Sequence, residues 1–265
     1  MLRKDAVRQL LEAFQYDKSS AIKAIRDFAG STTPKVTPNA KNAPIAIALR
    51  SVSKNYKLKG QELQVLRGIT LDIHEGEFVV ITGSSGSGKS TLLQLMGALD
   101  KPSAGTIEIY QQDVGKLSDG KLSRLRSSTI GFVFQFFYLQ PFLRLEKNIE
   151  VPGMFARSKR DDRIRRVEEL LSIVGLEDQR MHYPRQLSGG QMQRAAISRA
   201  LLNNPKIILA DEPTGNLDSK NSEVIIGLFL TLQKRYNMTV VMVTHDEEIA
   251  SRADRVLVMK DGQVQ

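Results

Sequence analysis

The eight residues Gly83-Ser84-Ser85-Gly86-Ser87-Gly88-Lys89-Ser90 constrain the fold more than any other stretch of the chain. An apolar run, Phe78 to Ile81, enters them, and a segment carrying Leu92, Leu93, Leu95, Met96 and Leu99 at helical spacing leaves them. A strand and a helix joined by G-x-x-x-x-G-K-[ST] form a loop built for phosphate. The glycines let backbone N–H groups turn inward as a nest for phosphate oxygens, and the free N–H groups of the following helix add positive potential. Lys89 then brings a point charge to the β- and γ-phosphates, and Ser90, followed by Thr91, offers a hydroxyl to Mg²⁺. A turn that only joined strand to helix would have no use for a lysine in the nest.

Around this loop, Ile45 to Leu49, Thr106 to Ile109, Ile207 to Ala210 and Thr239 to Val243 also read as strands, separated by longer and partly helical segments. The spacing predicts a mixed α/β sheet domain. Strand signals fade between Phe134 and Ser188, and Ile164, Val167, Leu170, Leu171 and Val174 fall on one face of a helix over Asp161 to Val174. A helical insertion over about 136–190 follows. Before residue 45, Val7, Leu10, Leu11, Phe14 and then Ala21, Ile22, Ile25, Phe28 predict two short amphipathic helices, with Gly30 as a C-cap. Pro34, Pro38 and Pro44 with polar neighbours make a linker, so residues 1–44 form an extension and 45–265 the main domain.

Composition removes several classes of function. The 265 residues include no cysteine and three scattered histidines, His74, His182 and His245, so no disulfide, thiolate nucleophile or transition-metal site is expected. No apolar run approaches the ~20 residues of a membrane span, and the N-terminus lacks the apolar core of a secretory signal. The expected location is therefore cytoplasmic. A net charge of +9 would suit nucleic acid, but the basic run from Arg157 to Arg166 alternates with Asp161 and Asp162, as on a solvated helix.

Two further stretches acquire meaning beside the phosphate loop. Ile207-Ile208-Leu209-Ala210 ends in Asp211-Glu212, where Asp211 would hold Mg²⁺ and Glu212 would take a proton from an attacking water. The run Val240 to Val243 ends in Thr244-His245-Asp246. Lastly, Leu187-Ser188-Gly189-Gly190-Gln191 opens a helix continuing through Arg194, Ala195, Ala196, Ile197 and Arg199. Its hydroxyl and N–H groups make a second anion site, far in sequence from the first.

Leu187 to Gln191 resembles the signature motif of the ABC family of ATP-driven transporters, and the likeness runs from about Ile45 to Gln265. It implies a P-loop NTPase cassette: a RecA-like α/β core, an antiparallel β subdomain and a helical subdomain. It also implies ATP and Mg²⁺ as ligands, Tyr56 as the aromatic that stacks on adenine, and Gln135 as the glutamine that touches Mg²⁺ and reports on the membrane subunit. Asp218, in Asn216-Leu217-Asp218-Ser219, would communicate across a dimer, and His245 would contact the γ-phosphate. In that family two subunits sandwich two ATP molecules, each held by the phosphate loop of one chain and Ser188, Gly189, Gly190 and Gln191 of the other.

Asp211 through Asp218, with Gly131 to Gln135, is similar to the branch of macrolide-exporter, lipoprotein-releasing and cell-division ATPases. This implies a separate permease with few membrane helices and a large extracytoplasmic domain, an ATPase peripheral on the inner membrane face, and export or mechanotransmission as the output. No nucleic-acid partner is expected. The alternative is a soluble ABC ATPase acting on ribosomes or DNA, for which the tandem cassettes or long coiled-coil insertion are missing. A nucleoside kinase would share the phosphate loop but give Leu187 to Gln191 no role.

Overall fold

The structure, a computed structural model, describes residues 43–58 and 61–265; the two expected N-terminal helices, Gly30 and nearly all of the linker lie outside the described residues. Two sheets organise the rest. The first is antiparallel, in the order β2-β1-β4-β5, from β1 (Ile45–Leu58), β2 (Gln61–His74), β4 (Ala104–Ile109) and β5 (Gln112–Asp113). The second has β3 (Phe78–Gly83), β6 (Ile130–Phe134), β7 (Ile207–Asp211), β8 (Thr239–Val243), β9 (Arg255–Lys260) and β10 (Gln263–Val264), in the order β10-β9-β3-β8-β7-β6, parallel except for β10.

The apolar runs are continuous because the parallel sheet is buried on both faces. Phe78, Val80, Ile208, Ala210, Val240 and Met242 pack into one core, and their alternates Val79, Ile81, Ile207, Leu209, Val241 and Val243 into the other. The first core is closed by helices α4 (Arg160–Val174), α5 (Gly189–Leu201) and α6 (Ser219–Tyr236). The second is closed by α1 (Lys89–Met96), α2 (Asp119–Thr129) and the antiparallel sheet. Two shorter helices, α3 (Leu145–Phe155) and α7 (Glu247–Ser251), complete the described elements longer than a single turn.

Helix α4 matches the expected span almost residue for residue and ends at Gly175, whose φ of 62° forms a left-handed cap. It is joined to α3 by Glu150, a carboxylate only 4% exposed, which Lys147 Nζ meets at 2.7 Å and Arg163 Nε at 2.9 Å. The two cations outweigh the effect of burial and hold the Glu150 carboxyl below its ordinary range. Strand β1 runs nine residues beyond the expected end at Leu49, pairing with a β2 that the sequence pattern did not announce. The first four residues of β2 are exposed and mostly polar, and after a lone buried Leu66 regular apolar alternation emerges only at Ile69, Leu71 and Ile73.

What the sheet does for function follows from its register. Ile81 pairs with Val243, Val243 with Asp211, and Asp211 with Phe134. Thr82-Gly83 at the end of β3, and Thr244-His245, Glu212 and Gln135 just past the ends of β8, β7 and β6, therefore emerge along one edge. The carboxyl ends of parallel strands are where such folds form their ligand crevice. None of the helices among the described residues is long and apolar enough to cross a membrane.

Candidate nucleotide site

At that edge a cavity of about 560 Å³ is lined by Val65, Gly83, Ser85, Gly86, Gly88, Lys89, Ser90, Thr91, Glu212, Val243 and His245. Glycine is required on both sides of the loop. Gly83 has φ 143°, and a Cβ there would stand 2.2 Å from the carbonyl oxygen of Met259, its neighbour on β9. Gly86 has φ 78° and faces open space, with no atom within 4 Å of where its Cβ would be. Both conformations are strained for an L side chain.

Helix α1 begins at Lys89 without a side-chain cap, so its first N–H groups point into the loop unsatisfied by side chains. Lys89 Nζ donates to the carbonyl oxygens of Gly83 and Ser84, at 2.8 Å each. Ser87 is buried, and its hydroxyl has no hydrogen-bond partner among the described residues. The loop is thus rich in donors with few acceptors of its own, an arrangement that suits phosphate oxygens.

Two carboxylates face the loop from β7. The Ser90 hydroxyl donates to Asp211 Oδ1 at 3.2 Å. Burial pushes the Asp211 carboxyl above its ordinary range, and the neighbouring Glu212 charge adds to this against the pull of Ser90 and Lys89. Glu212 has φ 46°, a left-handed conformation that costs a non-glycine residue about 1 kcal/mol, and its N–H donates to the Val243 carbonyl at 2.9 Å. The turn aims its carboxylate at His245. Nδ1 lies 3.1 Å from Oε1 and 2.9 Å from Oε2, but its hydrogen-bond geometry favours Oε1. Oε2 is buried and receives no hydrogen bond among the described residues.

Other expected residues lie around this centre. Gln135 follows β6 with its side chain against Gly215, where a Cβ would meet Nε2 at 2.9 Å, and its carbonyl accepts from Asn216 Nδ2 at 3.0 Å. Tyr56 stands outside the cavity lining; its hydroxyl donates to Asp100 Oδ2 at 3.0 Å, and Lys54 Nζ sits 4.9 Å from its ring. Val65, at the cavity wall, was missed because β2 carries little strand signal.

The second glycine-rich segment is elsewhere and differently made. Ser188 caps α5: its hydroxyl accepts from the Gln191 N–H at 3.3 Å, and the Gln191 side-chain oxygen accepts from the Ser188 N–H at 2.8 Å. Ser188 is exposed, and Gly190 is packed so closely that a Cβ would meet Asn221 Oδ1 at 2.4 Å. Asn221 is in turn held by Asp218, whose Oδ1 accepts from its N–H and Oδ2 from its Nδ2, each at 2.8 Å. A more enclosed cavity of about 370 Å³ lies at the opposite ends of the strands, where Leu170, Leu232 and Met238 share the lining with Glu75, Arg166 and Lys206, and it has no glycine-rich loop or helix start in its wall.

Comparison with known proteins agrees with this geometry. Residues 66–215 match the family described as "ABC transporter". The chain is 47% identical over 218 residues to the ABC transporter ATP-binding protein YvrO of Bacillus subtilis, covering 82% of this chain and 95% of YvrO. It is 45% identical over 218 residues to the macrolide export ATP-binding/permease protein MacB of Escherichia coli K12, but spans only 34% of that protein's length. Among solved structures, the dimeric bacterial ABC transporter cassette MJ0796 superposes with a TM-score of 0.77 at 46% identity, covering 83% of this chain and 96% of that one. A dimeric post-hydrolysis state of MJ0796 bound to ADP and Pi gives the same score. With the family matched over more than half its length and the phosphate loop, acidic pair and histidine gathered at one sheet edge, the chain belongs to the ABC transporter family.

Proposed function

We propose that this chain, an ATP-binding and ATP-hydrolysing subunit of the ABC transporter family, closes with a second copy of itself over two ATP molecules and so powers a separate membrane permease. The observation that carries this reading is the placement of two anion-binding helix starts: Lys89 opens on a cavity shared with Glu212 and His245, whereas Ser188 is exposed. A partner's nucleotide would supply the phosphate that Ser188, Gly189 and Gly190 face. The dimeric MJ0796 structures support the arrangement by likeness.

In the mechanism that follows, the loop N–H groups from Gly83 to Thr91 hold the β- and γ-phosphates, and Lys89 exchanges the Gly83 and Ser84 carbonyls for phosphate oxygens. Ser90 Oγ and Asp211 Oδ1 are hard oxygen donors, too few for an all-protein cage and suited to Mg²⁺, which keeps waters and substrate phosphates as its other ligands. That ion neutralises phosphate charge when bound. The Glu212 carboxylate accepts a proton from the water that attacks the γ-phosphorus as the bond to the β–γ bridging oxygen breaks. His245 holds the Glu212 carboxylate through Nδ1 and reaches toward the γ-phosphate, and Gln135, just past β6, would serve as a further ligand to the ion. Tyr56 would offer its ring to adenine from outside the cavity.

The cassette of this reading is 45–265, with 1–44 as an appended segment and a helical part over about 136–190. It sits on the inner face of the membrane and drives export or mechanical transmission through a permease with few membrane helices. MacB carries ATP-binding and permease functions in one name and about three times the matched length; here the permease would be another chain. The test is capture of the tagged protein from detergent-solubilised membranes. A co-purifying polytopic permease is expected; ribosomes or DNA in its place, bound in a salt-sensitive way, would overturn the transport reading in favour of a soluble ATPase.

A further inference from the structure

One polar side chain in the signature helix is left unexplained by the nucleotide site. Gln193 lies on α5 one turn beyond the Ser188 cap, on the face it shares with buried Ala196 and Ile197, and is itself 0% exposed. Its Nε2 donates to the Pro213 carbonyl at 2.7 Å and, more weakly, to the Phe134 carbonyl at 3.4 Å. Both neighbours are acceptors, which fixes the orientation of the amide. The other end, Oε1, is buried without a hydrogen-bond partner among the described residues. A core position that keeps a half-satisfied amide, where leucine or methionine would fill the volume without leaving an orphan, is under a demand other than packing.

The two carbonyls identify that demand. Phe134 immediately precedes Gln135, and Pro213 immediately follows Glu212. Neighbouring bonds extend the tie: Asn216 Nδ2 donates to the Gln135 carbonyl at 3.0 Å, and Arg199, two turns further along α5, donates to the carbonyls of Phe137 at 2.8 Å and Tyr138 at 2.6 Å. The helix whose first residue faces outward toward a second subunit's nucleotide is therefore fastened, through Gln193, to the loops that carry this chain's own Gln135 and Glu212. We infer that Gln193 is a positioning residue that links the two nucleotide sites of the dimer: engagement of Ser188 by the partner's ATP sets, through Gln193, the Pro213 backbone and hence the aim of Glu212. Strain at Glu212, with its φ of 46°, makes that aim sensitive to small shifts of the Pro213 carbonyl. This inference rests on the dimer reading above.

The experiment is a double-mutant cycle in ATP hydrolysis by the full chain, with Ser188→Ala, Gln193→Met and the pair. Loss of the Gln193 donors is expected to lower kcat about tenfold, the scale of one buried hydrogen bond in a barrier, while leaving nucleotide affinity of the monomer unchanged. Because both residues act along one path, the double variant should be little slower than the worse single, and the Hill coefficient for ATP should fall toward 1. Independent, multiplying costs with an unchanged Hill coefficient would overturn the link. Gln193→Leu serves as a second apolar replacement should the methionine variant fail to fold, and thermal melts identify that failure. ATP-dependent dimer formation by Glu212→Gln, measured by size exclusion, separates the two ideas: a dimer with additive costs removes the role of Gln193 alone, and no dimer removes both.

Discussion

The chain contains two glycine-rich helix starts, and they differ in what each has nearby. At Gly83 to Ser90 the donors face a cavity lined by Glu212 and His245 of the same chain, Asp211 meets the loop through Ser90, and Lys89 is folded onto its own loop. At Ser188 to Gln191 the helix is already capped by its own serine and glutamine, the serine is exposed, and the closest packing is against Asn221 rather than a site. The first segment has the parts for chemistry and the second presents a surface. In the proposed dimer, the second segment is what one chain brings to the first segment of the other.

Substitutions on the two sides should therefore fail in different ways. The largest effect is expected from Glu212→Gln, which keeps the shape but removes the proton acceptor: phosphate release should fall by about 10²–10⁴-fold while nucleotide titrations change little. Undiminished turnover would remove Glu212 from its role. Next comes Gly83→Ala, which forces a Cβ to 2.2 Å from the Met259 carbonyl at a φ of 143°. It should weaken nucleotide binding itself by about tenfold or more, read by fluorescence titration of the monomer. Gly190→Ala, a similar clash at 2.4 Å from Asn221 Oδ1, should instead lower kcat about tenfold with monomer affinity intact. Equal loss of affinity in both would erase the distinction between the two segments.

The smallest effect concerns Asp211. A carboxyl raised by burial is harder to ionise in the folded state, so its cost to stability appears as pH rises from about 3.9 through the raised folded value. Asp211→Asn, which keeps an oxygen for the Ser90 hydroxyl, should raise the unfolding midpoint of the nucleotide-free protein at pH 7. The same change should abolish extra stabilisation by Mg²⁺–ATP over ATP alone. A lowered midpoint at neutral pH would contradict the assigned cause.

Much of this was legible in the sequence because the site is built from strand ends. Thr239 to Val243 is the observed β8, a short continuous apolar run buried on both faces, and the helix over Asp161 to Val174, whose buried face has a clear period, differs by one residue. Strands with one wet face were not legible: β2 begins with exposed Gln61, Glu62 and Gln64, and β9 alternates Val256 and Val258 outward, 42% and 43% exposed. Motif residues could be named from spacing, but not the inward duties that some of them hold. Asp218 as the cap of α6, Gln191 as half of a capping box, and Gln193 as a buried tie depend on which loop lies against which helix, and spacing along the chain does not carry that information.

The most direct test of the central claim mixes two inactive proteins. Chains carrying Lys89→Ala cannot hold nucleotide in their own loop, and chains carrying Ser188→Arg cannot complete a partner's site. If each site is shared between subunits, a mixture contains dimers in which the intact loop of one chain meets the intact Ser188 of the other. The account predicts that hydrolysis, absent in either protein alone, returns on mixing. Half of the dimers are mixed with one sound site each, which sets a ceiling of about a quarter of the wild-type rate. The Gln193 link lowers it about tenfold further, because the chain that supplies the sound loop carries Ser188→Arg. A mixture as inactive as its components, with mixed dimers demonstrated, would mean that both segments serve one chain's own nucleotide, and would contradict it.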